Sequence, residues 1–466
     1  MTTLVLKFGG TSVGNADAIS RAADLVLGRV RAGNGVAVVV SAMSGVTDAL
    51  TRGIQAAAIG DEQLHRRVAA DVLDRHRVAA DVLGVENASE LNEAAEETMD
   101  EYLAVCDSVR VLGEATPRAL DRATSRGEPL LARLLAAVLA ANGVDAVAID
   151  PTEVIVTDST YQNATPQLEE TRERAARTLR PLIVTGVVPI LAGFMGGTRD
   201  GVTTTLGRGG SDFSAAILGY ALRADEVLIC TDVDGVMTAD PRLVPTARAI
   251  PVLSYGEVGE LAYFGAKVLH PRTIRPLVDE RIPLRILNTF RPECPGTRIQ
   301  PEADLSVGAV KAVTDICGLS LVTVEGRGML GVPGIAARTF GSVARCCANV
   351  LMISQASSEQ SICFVVPGEA AARVKAELDE EFALELARRA IDQVRVVLDV
   401  AVVTALGAGM RGAVGAVGKV LDAVGRRGVD VMALAQGSSE WSVSMAVTAS
   451  DREAAVRAIH DEVIAR

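Results

Sequence analysis

Short glycine-bearing stretches carry the residues best able to hold an anion. In LVLKFGGTSVG, residues 4–14, Lys7 ends an apolar run and stands directly ahead of Gly9, Gly10, Thr11 and Ser12. A P-loop has the opposite order, with its lysine after the glycines. In TTTLGRGGSDFSAA, residues 203–216, Arg208 lies between Gly207 and the pair Gly209–Gly210. Ser211 and Asp212 follow where a helix begins, so backbone N–H groups point toward an anion. The plain alternative is a glycine turn with Ser211 or Asp212 as N-cap. In TDVDGVMTADPR, residues 231–242, Asp232 is the first residue off a buried apolar run, at the strand end where open α/β sheets bind ligands. Asp232, Asp234 and Asp240 could equally be turn formers.

Other chemistries lack their parts. The four histidines lie outside the glycine-rich clusters, and no G-x-S-x-G, H-E-x-x-H or Walker A pattern occurs. Acyl transfer by a nucleophilic triad and zinc hydrolysis are therefore set aside. Seven scattered cysteines without C-x-x-C spacing suit reduced thiols in a cytoplasmic protein, and no residue is assigned as a metal ligand. A net charge of −12 argues against nucleic-acid or membrane partners, so local Lys and Arg must hold any anionic ligand. No signal peptide is read at the N-terminus. Two G-x-G-x-x-G matches, Gly326/Gly328/Gly331 and Gly407/Gly409/Gly412, sit in modules too short for a dinucleotide domain. Close packing of helix on strand is the expected reason for these glycines.

The elements that must position these groups follow from periodicity. VAVVVSA (36–42), DAVAID (145–150), VVPILAGF (187–194) and EVLICTDV (226–233) read as strands buried on both faces. Helical stretches at 16–32 and 129–143 alternate with them, which predicts an α/β domain with a mostly parallel sheet and helices on both faces. Residues 60–115 read as a helical insertion. The uncharged stretch 181–197 reads as two short strands and a turn, and 254–271 as one helix with a Ser254/Glu257 capping box and Pro271 past its end. After RPECPGTRI the pattern changes: the stretches from Leu321 and Val402 align without a gap, each reading strand, glycine turn, helix, strand, turn, strand. The expected domains are 1–300, 301–388 and 389–466, with interleaving of the last two left open.

Taken in order, KFGGTSVG, VVVSAMSGVTD, RGEPLLARLLAAVLAANG, LGRGGSD, TDVDGVMTADPR, YFGAKVLHP and the paired SQASSE/AQGSSE resemble an aspartokinase over essentially the whole chain. The resemblance implies an amino-acid-kinase fold followed by two tandem ACT modules of ferredoxin-like α+β type. LSYGEVGELAYFGAKVLHPRTIRP and PGTRI are similar to the kinase half of bifunctional aspartokinase–homoserine dehydrogenases. With the chain ending at Arg466, a monofunctional protein is expected.

The implied activity is transfer of the γ-phosphoryl of ATP, with Mg2+, to the β-carboxylate of L-aspartate. That gives 4-phospho-L-aspartate, the first step toward lysine, threonine and methionine. Lys7, Phe8, Gly9 and Gly10 would hold the ATP phosphates, and Asp212 would orient Lys7 and help organise magnesium. Ser41 and Thr47 would line the aspartate pocket, Glu128 would accept from the ammonium, and Arg208 would clamp the α-carboxylate with help from Ser211. Thr231, Asp232, Met237, Arg242, Lys267 and Val268 would surround the nucleotide. Ala132 and Met237 depart from the serine and tyrosine common in the family. Gln355, Ser357, Ser358, Gln436, Ser438 and Ser439 would bind an effector amino acid, threonine first and lysine second, in a homodimer or larger assembly. Two other readings stay open: a kinase of the same fold for glutamate, N-acetylglutamate or carbamate, and a catalytically silent amino-acid sensor.

Overall fold

Apolar runs such as GVAVVV offer no polar face, so they suit a sheet covered on both sides. The strands are β1 (Thr3–Phe8), β2 (Gly35–Val40), β3 (Ala146–Ile149), β4 (Val188–Ala192) and the hairpin β5 (Met195–Gly197) and β6 (Thr203–Thr205). They continue with β7 (Glu226–Thr231), β8 (Val252–Ser254), β9 (Leu284–Asn288) and β10 (Thr297–Gln300). Eight of them form one sheet in the order β3-β4-β2-β1-β7-β9-β10-β8, parallel except between β9 and β10. The computed structural model describes residues 1–85, 88–265, 269, 271–306, 308–356, 360–437 and 439–464. They divide into two units. The first comprises Met1–Val236, Pro251–Tyr255 and Leu269–Glu302, and the second Met237–Ile250, Gly256–Val268 and Ala303–Arg466.

The helices of the first part of the chain are α1 (Ala16–Arg31), α2 (Val46–Ala58), α3 (Leu64–Leu83), α4 (Ala88–Leu112), α5 (Pro117–Thr124) and α6 (Gly127–Ala141). Next come α7 (Leu168–Val184), α8 (Gly210–Leu222), α9 (Tyr255–Tyr263) and α10 (Pro271–Asp279). The two-residue alternation of β1 decides what each side chain meets. Leu4, Leu6 and Phe8 join one buried cluster with residues of α1, α2, α3, α4 and α6. Val5 and Lys7 point to the opposite face, where α8 crosses β1. The helical stretch at 60–115 is the pair α3–α4, and Tyr102 on α4 donates to the Leu50 carbonyl of α2 at 3.1 Å.

The second unit adds β11 (Ala312–Glu325), α11 (Ile335–Arg345), β12 (Met352–Gln355), β13 (Ser361–Pro367), α12 (Ala371–Glu381) and α13 (Ala383–Ala387). Then follow β14 (Gln393–Leu406), α14 (Ala416–Arg426), β15 (Ala433–Gln436), β16 (Ser442–Thr448) and α15 (Arg452–Ile459). Its six strands run antiparallel in the order β12-β13-β11-β14-β16-β15. The duplication recurs in the packing. One buried cluster pairs Leu319 with Val400, Leu321 with Val402, Met352 with Ala433 and Val365 with Ala446, each at the same offset (400 − 319 = 81).

The copies also exchange strand segments. β11 shifts register between Ile316 and Leu321, at Gly318 with φ +73°. Val313 before the shift packs with Ala401, Val403 and Met445 of the second copy, while Val322 and Val324 after it pack with Phe364 and Val374 of the first. The chain does not divide linearly at residue 300. Ala239 and Val244 bury their apolar surface in the second copy's core, which draws 237–250 into that unit.

Three local expectations are corrected. The stretch 181–197 opens as the last turn of α7, with Pro181 inside that helix, and only then gives β4 and β5. The glycines of the repeated turns do not accommodate a helix on a strand. A Cβ on Gly326 would lie 2.5 Å from the Ala390 carbonyl, and one on Gly407 2.3 Å from the Ala309 carbonyl, so each turn seats against incoming backbone. The helix read over 254–271 stops at Tyr263, and Pro271 opens α10 instead of following a helix end.

Gly265 explains that stop. Its φ of +100° is left-handed, and a Cβ there would sit 3.0 Å from the Asp315 carbonyl. Gly265→Ala is expected to destabilise the second unit by about 1–2 kcal/mol. A denaturant midpoint equal to wild type would contradict it. Nearby, Glu257 of the Ser254/Glu257 pair has further partners in the second unit. It is fully buried, pairs with Lys311 Nζ at 3.0 Å and accepts from the Ala408 N–H at 2.8 Å. Among the described residues no helix is long and apolar enough to cross a membrane.

Candidate active site

A cavity of about 700 Å³ opens at the C-terminal ends of β1, β2 and β7, where a parallel sheet presents its ligands. Lys7 reaches it because β1 lies between β2 and β7, with Lys7 in register with Val39 and Ile229, and alternation turns its side chain toward α8. There Nζ meets Asp212 Oδ1 at 2.7 Å, with the lysine side chain only 11% exposed. Asp212 stands in the first turn of α8, whose leading N–H groups have no intrahelical acceptor by geometry and which lines the cavity.

Glycine is required by the turn that carries Arg208. Gly207 and Gly209 are left-handed at φ +78° and +72°, and a Cβ on Gly210 would lie 2.7 Å from the Phe194 ring. The N-cap of α8 is Gly209, so neither Ser211 nor Asp212 serves as the cap, and both side chains remain at the cavity. Arg208 is exposed on the cavity wall.

The opposite wall is acidic. Glu128, in the first turn of α6, is 2% exposed. Its Oε1 lies 3.5 Å from Thr47 Oγ1, and Oε2 has no hydrogen-bond partner among the described residues. Burial pushes its carboxyl up to about 7, opposed by hydrogen bonds from the Ala42 N–H and Thr47 and by the Arg126 charge. Ser41 follows β2, and Arg75 of the α3 insertion donates to the Ser44 carbonyl at 3.0 Å, steadying that loop.

The cavity thus gathers Lys7, Gly9, Gly10, Ser41, Thr47, Glu128, Arg208, Ser211, Asp212 and Thr231 from the sites read in the sequence. Phe8 contributes no side chain to it: its ring is fully buried in the core cluster, and its carbonyl accepts the Ser41 N–H at 3.0 Å. Asp232 is exposed just past Thr231, which donates to it at 3.2 Å, and is not among the cavity's lining residues. Asp234 is a turn former, held by Asn288 at 2.7 Å and by Arg291.

Met237 and Arg242 belong to the second unit. There Met237 bridges to Ala249, and Arg242 pairs with Asp240 at 2.6 Å. Gln355 and Gln436 are exposed ends of β12 and β15, and Ser439 donates to Glu260 at 3.3 Å. Lys267, Val268, His270, Ser357, Ser358 and Ser438 lie outside the described residues. Sequence reasoning missed Asp121, Gln162, Phe194 and Thr205, which also line the cavity. No local signal marks Asp121, because its partners are 41 and 84 residues away.

Comparison with known proteins places this geometry in a family. The amino acid kinase family model matches residues 2–288, and an ACT domain model matches 322–382 and 403–463. The chloroplastic bifunctional aspartokinase/homoserine dehydrogenase 2 of Zea mays is 37% identical over 465 residues, covering 98% of this chain. The chain spans about half the length of such bifunctional relatives. Chloroplastic aspartokinase 2 of Arabidopsis thaliana is 31% identical over 469 residues, covering 98% of this chain and 84% of its own length. E. coli aspartokinase III, solved with aspartate and ADP, superposes at a TM-score of 0.76 with 29% identity, covering 99% of both chains. The same enzyme solved with lysine and aspartate gives 0.79. The chain therefore belongs to the amino acid kinase family and, within it, to the aspartokinases, with a pair of ACT domains behind the kinase region.

Proposed function

We propose that the protein transfers the γ-phosphoryl group of ATP to the β-carboxylate of L-aspartate, giving 4-phospho-L-aspartate, under control of an amino acid bound at the ACT pair. One observation carries this reading. Among the described residues, a buried lysine paired with a half-buried carboxylate, an exposed guanidinium on a glycine turn and a buried carboxylate oxygen without a hydrogen-bond partner share one cavity. An α-amino acid fits that set: its ammonium can satisfy Glu128 Oε2, and its α-carboxylate can meet Arg208 as a fork.

The acceptor needs no base. An aspartate side chain with a pKa of about 4 is ionised at neutral pH. The barrier is electrostatic, an anion approaching a polyanion, and phosphoryl transfer depends mainly on positioning and charge stabilisation. Lys7 Nζ supplies positive charge, the first turn of α8 supplies N–H donors, and Gly9 and Gly10 let phosphate approach the backbone. A Cβ on Gly10 would already lie 3.1 Å from the Ala42 carbonyl. The Asp212 carboxylate beside Lys7 fits magnesium, which is usually held by one or two carboxylates together with phosphates. When bound, magnesium would neutralise phosphate charge. Asp212 also keeps Lys7 in one orientation before substrate arrives.

For the effector we take threonine first and lysine second, near Gln355 and Gln436, in a homo-oligomer joined through the ACT domains. The bifunctional-like pattern read in the sequence is the ground for placing threonine first, and the E. coli relative solved with lysine and aspartate supports the alternative.

The test is direct. Incubate the full chain with Mg-ATP and aspartate, glutamate or N-acetylglutamate, trap acyl phosphate with hydroxylamine, and titrate threonine and lysine. Aspartyl hydroxamate is expected, suppressed by one of the two amino acids. Product only with another acceptor, or with none, would overturn the proposal.

A further inference from the structure

Asp121 is the most buried carboxylate of the cavity wall at 1% exposure, and among the described residues it makes no ion pair. Its charge is met by three donors instead. Thr205 Oγ1 donates to Oδ1 at 2.7 Å, the Thr205 N–H donates to Oδ2 at 2.8 Å, and the Gln162 N–H reaches both oxygens at 3.0 Å. A buried carboxylate is tolerated when its lone pairs are filled in this way.

The donors belong to segments that shape the acceptor side. Thr205 ends β6, two residues before Gly207 and the turn that carries Arg208. Gln162 is a non-glycine residue held left-handed at φ +66°, a conformation that persists only where surroundings enforce it. Its carbonyl lies 2.9 Å from where a Cβ on Gly207 would be, so its position and the arginine turn are in contact. Asp121 itself sits on α5, which runs through Ser125 and Arg126 directly into Glu128 and α6.

Resting on the aspartate-kinase reading above, the geometry points to Asp121 as a positioning residue. Its carboxylate ties the Glu128 helix pair to the Arg208 turn, so the groups that would grip the acceptor's ammonium and α-carboxylate keep a fixed separation. It acts through Glu128 and Arg208 and does not touch the phosphates. Its loss should therefore weaken aspartate binding and leave nucleotide binding alone. Asn at this position has the same shape but one acceptor fewer, and it turns an amide N–H toward a backbone N–H.

The experiment measures both Michaelis constants for the full chain as wild type and as Asp121→Asn, Thr205→Val and Thr205→Ser. Asp121→Asn is expected to raise the aspartate KM about tenfold, with the ATP KM within about twofold. Thr205→Val, which keeps the backbone bond and loses the hydroxyl, should raise it about threefold, and Thr205→Ser should match wild type. A merely structural role would move both constants together, and that result overturns the inference. So does an unchanged aspartate KM in Asp121→Asn with active wild type. If Asp121→Asn melts below the assay temperature, the Thr205 pair decides: equal aspartate KM values in Val and Ser overturn the inference. Wild type that forms no aspartyl hydroxamate is a different failure, that of the parent reading.

Discussion

Lys7→Ala is expected to lower kcat about a thousandfold while leaving the protein folded, a loss of the size seen when one pre-aimed charge or donor is removed from a transition state. Two effects add. On the proposed reading the variant removes the ammonium that would face the transferring group, and it leaves Asp212 at the cavity without the cation now 2.7 Å away. An uncompensated carboxylate then faces a polyanion. The fold has little reason to fail, because the ladder of β1 with β2 and β7 is made by backbone groups. Lys7→Met separates charge from volume: it fills the slot beside Val39 and Ile229 without an ammonium and should be as slow as alanine. Turnover within about tenfold of wild type in either variant, with a normal far-UV spectrum, would remove Lys7 from the mechanism.

Lys7 also shows how far sequence could reach. Valine-rich runs and the 3.6-residue stretches between them are enough to place β2, β4 and β7 in a mostly parallel sheet, because burial on both faces leaves a composition that local reading detects. Alternation within β1 then separates Lys7 from Phe8, and only the lysine side chain faces the cavity. The duplicated modules were legible for the same reason, since an unbroken 81-residue offset (407 − 326 = 81) is a property of the string. What failed was backbone sign and distance. Gly265 can sit inside a helical pattern, and nothing local says that its φ is +100°. Pro181 looked like punctuation but is carried inside α7. Asp121 reads as a polar residue of a short amphipathic helix, since the donors that make it an anchor arrive from β6 and the loop before α7. The strand exchange between β11 and β14 is likewise a matter of which core a bulge turns a valine into.

Glu128→Gln is expected to make the protein more stable at pH 8 and nearly unable to bind aspartate. The Glu128 carboxyl is pushed up to about 7 from an ordinary 4.5, chiefly by burial. A carboxyl raised in the folded state contributes stability below pH 4.5, and that contribution is lost as pH rises through about 7. At pH 8 the ionised side chain therefore costs on the order of 3 kcal/mol, which a neutral isostere does not incur. Glutamine should accordingly stabilise the empty protein at pH 8 and confer almost nothing at pH 5, where Glu128 is already neutral in the folded chain. Function runs the other way. Oε2, without a hydrogen-bond partner among the described residues, is a buried acceptor that a ligand ammonium could reach, and its charge is what the ammonium would pair with. Removing that charge is expected to raise the aspartate KM about a hundredfold with ATP binding unchanged. Wild type should show the same dependence: its aspartate KM climbs as pH falls below about 7, and the glutamine variant is flat over that window. Melting curves at pH 5 and pH 8, paired with aspartate KM at both, decide it. A stability gain of equal size at the two pH values would mean that Glu128 is not held as a costly anion. The unpaired oxygen would then be a packing accident with no part in gripping the acceptor.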